Sequence, residues 1–345
     1  MTERVLSARA LNRALLARQG LLERARAPIP RMLERMGGLQ AQYAPSMYIG
    51  LWSRLEGFER GALTRALEAR RVIQGTLMRS TIHLVSAADY WPLAIAIRDV
   101  RRESWLRATR RELSPAEMEA AAGRVRAALA GGGTLRRKEI DVLIGKPAAR
   151  GVGLWVDLVR APPSGTWERR RADLYALAED WIEPVEITPG DAAERLVRRY
   201  LGAFGPASAK DVASFTGLPP AELSLTLGRL ELRRFRSEDG QELLDLPRAP
   251  LPEPDTPAPA RFIGTWDASL LVHTRRTGVL PEEHRPRIFH VKAPQSYPTF
   301  LVDGAVAGTW RYEQGAIDLS PFGRLDAATR RELGAEAERL AAFHA

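Results

Sequence analysis

Two glutamines two positions apart, Gln40 and Gln42, are the residues whose type and spacing most directly suggest chemistry in this chain. They sit in Gly37-Gly38-Leu39-Gln40-Ala41-Gln42-Tyr43-Ala44-Pro45. The paired glycines follow an apolar-periodic run from Ile29 to Met36 and read as a helix stop, while Pro45 disfavours a new helix before it. On extended backbone, residues i and i+2 point the same way, whereas on an α-helix they would diverge by about 200°. The spacing therefore aims two primary amides at one place. An amide has no pKa near neutrality and is no general base, but its oxygen can accept from a water molecule and fix where that water sits. The competing reading is a polar loop whose glutamines face solvent.

Two further segments carry candidate polar residues. Alternation in Met78-Arg79-Ser80-Thr81-Ile82-His83-Leu84-Val85 predicts a strand with Arg79, Thr81 and His83 on one face and Ile82 and Leu84 toward the core. That polar face either lines a cleft or meets solvent. In Thr166-Trp167-Glu168-Arg169-Arg170-Arg171, a strand or an irregular basic segment, Arg169, Arg170 and Arg171 are placed either to hold phosphates or as a solvated charge run. Trp155, Trp167 and Trp181 read as core residues.

Other chemistries are disfavoured. The absence of cysteine excludes disulfides, thiol catalysis, iron–sulfur clusters and thiolate zinc sites. The five histidines, His83, His273, His284, His290 and His344, form no His-Glu-x-x-His pattern, so neither metal nor cofactor is expected. There is no nucleophile elbow, no phosphate-binding Gly-rich loop and no dinucleotide fingerprint.

A chain of 345 residues with 45% hydrophobic content can bury a sizeable core in two or three domains. No apolar run approaches membrane-spanning length and Met1-Thr2-Glu3-Arg4 lacks a secretory leader, so a cytoplasmic protein without a membrane partner is expected. The charge balance of 51 basic against 42 acidic residues leaves +9. With a pI near 10.3, this favours a polyanionic partner such as nucleic acid. Only Lys138, Lys146, Lys210 and Lys292 are lysines, so arginine supplies nearly all of the charge.

The elements that must position these residues read as α+β, mainly α. Expected helices run from Ser7 to Gln19, Pro30 to Met36, and Gly61 to Arg70, with a buried apolar stretch from Met47 to Trp52. Ser114-Pro115-Ala116-Glu117 is a complete helix start. Its helix should end at Gly131-Gly132-Gly133. A further helix, capped by Thr134, is predicted over Leu135 to Ile144, and another through Trp155 and Leu158. Helices over 191–204, 208–216 and 219–229 precede strand-like runs 231–237 and 241–245, joined by an Asp239-Gly240 hairpin signal. Three helices and a hairpin make a winged helix, a variant of the helix-turn-helix. The recurrence of this order predicts winged-helix-like modules over 1–110 and 111–187 and a winged helix over 188–245. A proline-rich linker, 246–260, precedes a β-rich, barrel-like domain over 261–345. Its strand candidates are 262–272, 287–291, 299–303 and 305–312, closed by a helix from Asp326 to Phe343.

Taken together, Gly38-Leu39-Gln40-Ala41-Gln42, Leu77-Met78-Arg79-Ser80-Thr81-Ile82-His83-Leu84, Gly165 to Arg171, Phe300-Leu301-Val302-Asp303-Gly304 and Gly308-Thr309-Trp310-Arg311 resemble the AlkZ/YcaQ-like DNA glycosylases over nearly the whole chain. The first motif matches that family's Gln-aliphatic-Gln pattern. The YcaQ branch has aspartate at the second polar position, whereas Gln42 here is similar to the AlkZ branch. The resemblance implies tandem winged helices and a β-barrel, with Gln40 and Gln42 as the catalytic pair. It also implies excision of bulky, cationic N7-alkylguanines from double-stranded DNA, in repair or in self-resistance to an alkylating natural product, and extends to interstrand crosslinks. A monomer is expected, since no heptad or dimer helix appears. Two other classes fit the fold reading: a winged-helix transcriptional regulator without catalytic activity, and a noncatalytic interaction scaffold that would need neither glutamine.

Overall fold

The computed structural model describes residues 4–110, 112–271, 277–290 and 295–345, a mixed α/β fold. Side-chain caps written into the sequence set several helix starts. Ser7 Oγ accepts from Ala10 N at 3.1 Å at the head of Ala8–Arg18, and Ser114 and Glu117 cap Pro115–Leu129 reciprocally. Ser208 and Asp211 do the same for Ala209–Thr216. Two expected helices are corrected. The segment predicted helical from Leu135 starts as a strand, Leu135–Arg136, and is helical only over Arg137–Ile144. The one predicted through Trp155 and Leu158 is a short helix, Lys146–Gly151, followed by a 3-10 turn and the strand Leu158–Arg160. There Leu158 pairs with Leu177, so a partner nearly twenty positions away overrides the local apolar pattern.

The central feature is a six-stranded sheet in which every pairing is antiparallel. Its order is Leu39–Gln40, Ile82–Ser86, Val72–Thr76, Leu158–Arg160, Leu174–Leu177, Leu135–Arg136. It draws strands from both sides of position 111, through the pairing of Gly75 with Val159. The strand predicted to start at Met78 starts at Ile82 instead. Met78–Ser80 is a 3-10 turn in which Arg79 and Ser80 take φ of 52° and 57°, so the chain reverses there and alternation holds only beyond it. The Ala87–Ala108 helix, not foreseen, packs along this sheet and along Pro189–Phe204.

After Pro189–Phe204 come Ala209–Thr216 and Pro220–Gly228, then a hairpin of Arg233–Ser237 and Glu242–Asp245 that turns at Gly240. The N-terminal strand Val5–Leu6 adds to it in parallel. The first helix is locked onto this unit by a buried ion pair, Arg18 Nη1 to Asp245 Oδ1 at 2.7 Å and Nη2 to Oδ2 at 3.0 Å. Arg18 Nε and Arg13 Nε also donate to the carbonyls of Pro250 and Thr256, strapping the extended proline-rich segment to that helix.

The C-terminal unit is an open four-stranded antiparallel sheet, Arg261–Ile263, Thr299–Val302, Ala305–Glu313 and Ala316–Pro321, with no closed barrel among the described residues. Two strand predictions are corrected here. Residues after Ile263 turn and enter the short helix Ala268–Leu271, and Arg285–Ile288 is helical before the strand Phe289–His290. Val272, His273 and Val291 lie outside the described residues. The sheet packs on the N-terminal helices through Phe262, Phe300 and Trp310 against Met32, Met47 and Tyr48, beneath the helix Ala327–His344.

Candidate active site

Gly37 takes φ 71° and ends Ile29–Met36 in the left-handed region, and Gly38 follows at φ 85°. A Cβ on Gly38 would stand 3.0 Å from Val85 Cγ1, so glycine is needed there for backbone conformation and for space. This double turn delivers Leu39–Gln40 to the sheet edge, where Gln40 pairs with His83. Ala41 N donates to Ile82 O at 2.7 Å, and Gln42 follows on the exposed side.

The two amides meet. Gln40 Nε2 donates to Gln42 Oε1 at 2.5 Å, and Arg79 Nη2 donates to Gln40 Oε1 at 2.7 Å. A guanidinium has donors only, so the Gln40 atom facing it must be oxygen; its other atom is then NH₂, and the Gln42 atom facing that must be oxygen too. One cation thus orients both amides. Each oxygen keeps a second lone pair for a water molecule or a substrate group.

Arg79 reaches Gln40 from the left-handed turn, its guanidinium centred 5.0 Å from the ring of Phe215 in Ala209–Thr216. The residue keeps exposed surface toward the cleft, while the surrounding protein mass desolvates its guanidinium and lowers its pKa from the ordinary arginine value. Thr81 is half-buried beside it. His83 does not line the cleft: it is 2% exposed, and burial, aided by the positive charge of Arg79, pushes its pKa down to about 3. Its Nδ1 lies 3.1 Å from the carbonyl oxygen of Thr81, which fixes the neutral ring with the proton on Nδ1. Of the predicted polar face, Arg79 and Thr81 line the cleft and His83 does not: the 3-10 turn takes Arg79 out of the strand, and His83, opposite Gln40 in the ladder, is covered by packing.

Gln40, Gln42, Arg79 and Thr81 line an open cleft of about 570 Å³ whose other wall is Trp266 and Leu271. No carboxylate is among these lining residues. Trp266 was not foreseen; it lies inside a segment that reads as strand, although Gly264 and Asp267 around it were the available turn signal. It holds φ 60°, rare for a bulky residue, in a turn pinned by the buried Arg54 Nη2–Asp267 Oδ1 pair at 2.9 Å and by Trp266 N donating to Ser296 Oγ at 3.2 Å.

Arg169, Arg170 and Arg171 are exposed on an irregular loop next to this segment. Arg170 Nη1 donates to the hydroxyl of Tyr43, adjacent to Gln42, at 3.2 Å, while Arg171 pairs with Asp173 at 2.9 Å. Gln74 Nε2 anchors the loop through the Gly165 carbonyl at 3.1 Å. Among the described residues no group of three His, Cys, Asp or Glu could hold a metal ion, and no helix is long and apolar enough to cross a membrane.

A mixed α/β fold that presents an arginine-oriented amide pair in an open cleft, beside an arginine loop, defines a protein with a polar site next to a basic surface. The chain belongs to the AlkZ-like DNA glycosylase family, described as "DNA glycosylase AlkZ-like", whose profile it matches over residues 33–343. It is 24% identical over 341 residues to the interstrand DNA cross-link repair glycosylase of Streptomyces sahachiroi, covering 88% of each chain. Its fold is that of the solved Streptomyces sahachiroi DNA glycosylase AlkZ, with a TM-score of 0.81 at 20% identity over 98% of this chain and 97% of the other.

Proposed function

We propose that this glycosylase hydrolyses the N-glycosidic bond of cationic N7-alkylguanine in double-stranded DNA, with Gln40 and Gln42 as the catalytic pair. The observation that carries the reading is the Arg79–Gln40–Gln42 hydrogen-bond chain in a cleft without a carboxylate. N7 alkylation makes the base a cation and weakens the bond from C1′ to N9, so departure needs little protonation. The bonding pair leaves with the base and neutralises it, water oxygen bonds to C1′, and the water's proton passes to solvent. The second lone pairs of the two amide oxygens hold that water and stabilise the oxocarbenium-like centre. The positive charge of Arg79 opposes such a centre, so its contribution is orientation, with its charge available to a DNA phosphate.

The cleft volume suits an extruded purine, and Trp266 offers it an apolar wall. Pro189–Phe204, Ala209–Thr216, Pro220–Gly228 and their hairpin are read as a winged helix that, with the loop of Arg169 to Arg171, holds the duplex. Since the Streptomyces relative is named for interstrand crosslink repair, unhooking of crosslinked purines belongs to the same proposal, as does self-resistance to an alkylating compound.

Single-turnover excision from N7-methylguanine DNA tests it. Replacing both Gln40 and Gln42 by Ala should cut the rate by roughly 10²–10³-fold and leave DNA affinity nearly intact. Wild-type rates in the double variant would sink the amide mechanism, and lesion-blind binding without excision would favour a regulator.

A further inference from the structure

A second cavity, of about 410 Å³, adjoins the same turn: Arg79 lines the glutamine cleft, and the next residue, Ser80, lines this one with Thr76, Arg101, Ser104, Arg150 and Arg160. Its chemistry is lopsided. Arg160, on the strand Leu158–Arg160, is 7% exposed and donates Nη2 to Thr76 Oγ1 at 3.0 Å; the side chain of Tyr175 is its other polar neighbour, and its Nε and Nη1 are buried short of hydrogen-bond geometry with any acceptor. Arg101, on the long helix Ala87–Ala108, donates Nη1 to the Thr76 carbonyl at 2.8 Å, and its Nε and Nη2 are likewise buried and unpartnered. Asp157, the acidic group that acts on Arg101 through space, is engaged by Arg98 at 2.9 Å, and Arg137 of the lining is engaged by Asp141 at 2.8 Å.

Four arginines thus line one cavity with no carboxylate among its lining residues, and two of them, Arg101 and Arg160, hold buried N–H groups without acceptors. Burial, reinforced by the like charge of Arg160, lowers the Arg101 pKa to about 10, which leaves the cation in place at neutral pH. A buried cation with unsatisfied N–H groups is unfavourable unless a counter-ion supplies acceptors. Arg101, with Nη1 engaged, keeps its Nε–Nη2 edge, a planar fork that matches two oxygens of a phosphate, and Arg160 adds charge-assisted donors from Nε and Nη1. Ser80 and Ser104 line the same cavity, and the ring of Tyr175 backs Arg160 at 5.3 Å.

We propose that this cavity is a phosphate-binding site in which Arg101 and Arg160 grip the anion. The phosphate comes either from a DNA backbone phosphodiester, an arm that rests on the DNA-binding reading above, or from free phosphate in solution. The test uses the full chain and inorganic phosphate. Thermal unfolding is followed with phosphate and with chloride at equal ionic strength, for the wild type, for the double variant Arg101→Gln/Arg160→Gln, and for Ser104→Glu. The last places a carboxylate at the exposed rim and leaves the buried arginines untouched. Phosphate should raise the wild-type Tm with saturation and should leave both variants unmoved. If the occupant is a DNA phosphate, both variants also bind duplex about tenfold more weakly, their salt slope falls by about one contact, and phosphate competes with DNA beyond its ionic-strength effect. If it is free phosphate, the Tm response is lost while duplex affinity stays. A wild type indifferent to phosphate, with unchanged duplex affinity in Ser104→Glu, overturns the proposal. No arm measures base excision, so failure of the glutamine mechanism would leave this result readable.

Discussion

Arg79 Nη2 donates to Gln40 Oε1 across 2.7 Å, and this contact decides which way both glutamines face. The arginine is held for it by a left-handed backbone and by the Phe215 ring, so the orientation is built before any substrate arrives. Pre-set acceptors matter because a misplacement of about 1 Å costs on the order of 10²-fold in rate.

Arg79→Ala should therefore slow single-turnover excision by about 10²-fold, since Gln40 loses the donor that fixes its oxygen. Arg79→Lys keeps the charge but not the fork, and should recover DNA affinity more fully than rate. Equal recovery of both in the lysine variant would show that Arg79 acts on DNA rather than on Gln40.

The lining of the cleft contains no Asp, Glu, His, Cys or Lys among the described residues, and the buried His83, with its pKa near 3, stays neutral through the physiological range. Wild-type excision should be flat between about pH 6 and pH 8. Gln42→Glu places a carboxylate against Gln40 Nε2, active when ionised. The variant's rate should rise with pH through a new acidic limb and then level off. A bell-shaped wild-type profile would point to an acid or base other than the amides.

Stability should carry the mark of His83. Its pKa falls from the ordinary 6.5 to about 3 on folding, so the unfolded chain takes up a proton that the native state refuses. Nothing is lost above pH 6.5; as pH falls from there toward 3, stability drops by up to about 1.4 kcal/mol per pH unit from this group. His83→Asn should flatten the acid side of the urea-midpoint curve by about one proton. An unchanged slope would mean that the ring is protonated in the native protein.

Asp245 is fully buried and accepts from both Arg18, also fully buried, and Arg233. Asp245→Asn leaves these cations without their counter-ion, and breaking such a pair costs about 3–5 kcal/mol. The urea midpoint should fall sharply, and the first helix should be the element released, as read by hydrogen exchange of Ala8–Arg18. A midpoint shift no larger than that of an exposed substitution such as Glu242→Gln would refute it.

Local chemistry set the start of the motif: Gly37 and Gly38 stop the helix in left-handed backbone and lead into the extended Leu39–Gln40, whereas Gln42 lies in a bend and meets Gln40 through the side-chain hydrogen bond. The caps at Ser7, Ser114 and Ser208 and the turn at Gly240 were legible for the same reason, since each depends on residues within a few positions. Tertiary structure decided what local pattern leaves open. An arginine in a sequence looks solvated, and only packing showed that Arg18, Arg54 and Arg160 are interior, the first two because Asp245 and Asp267 reach them from more than two hundred positions away. The same long separations bring Trp266 and Leu271 across from Gln40, and packing covers His83 while Arg79 stays exposed. Charge burial and cleft walls depend on which distant groups arrive as partners, and short-range periodicity carries no record of that.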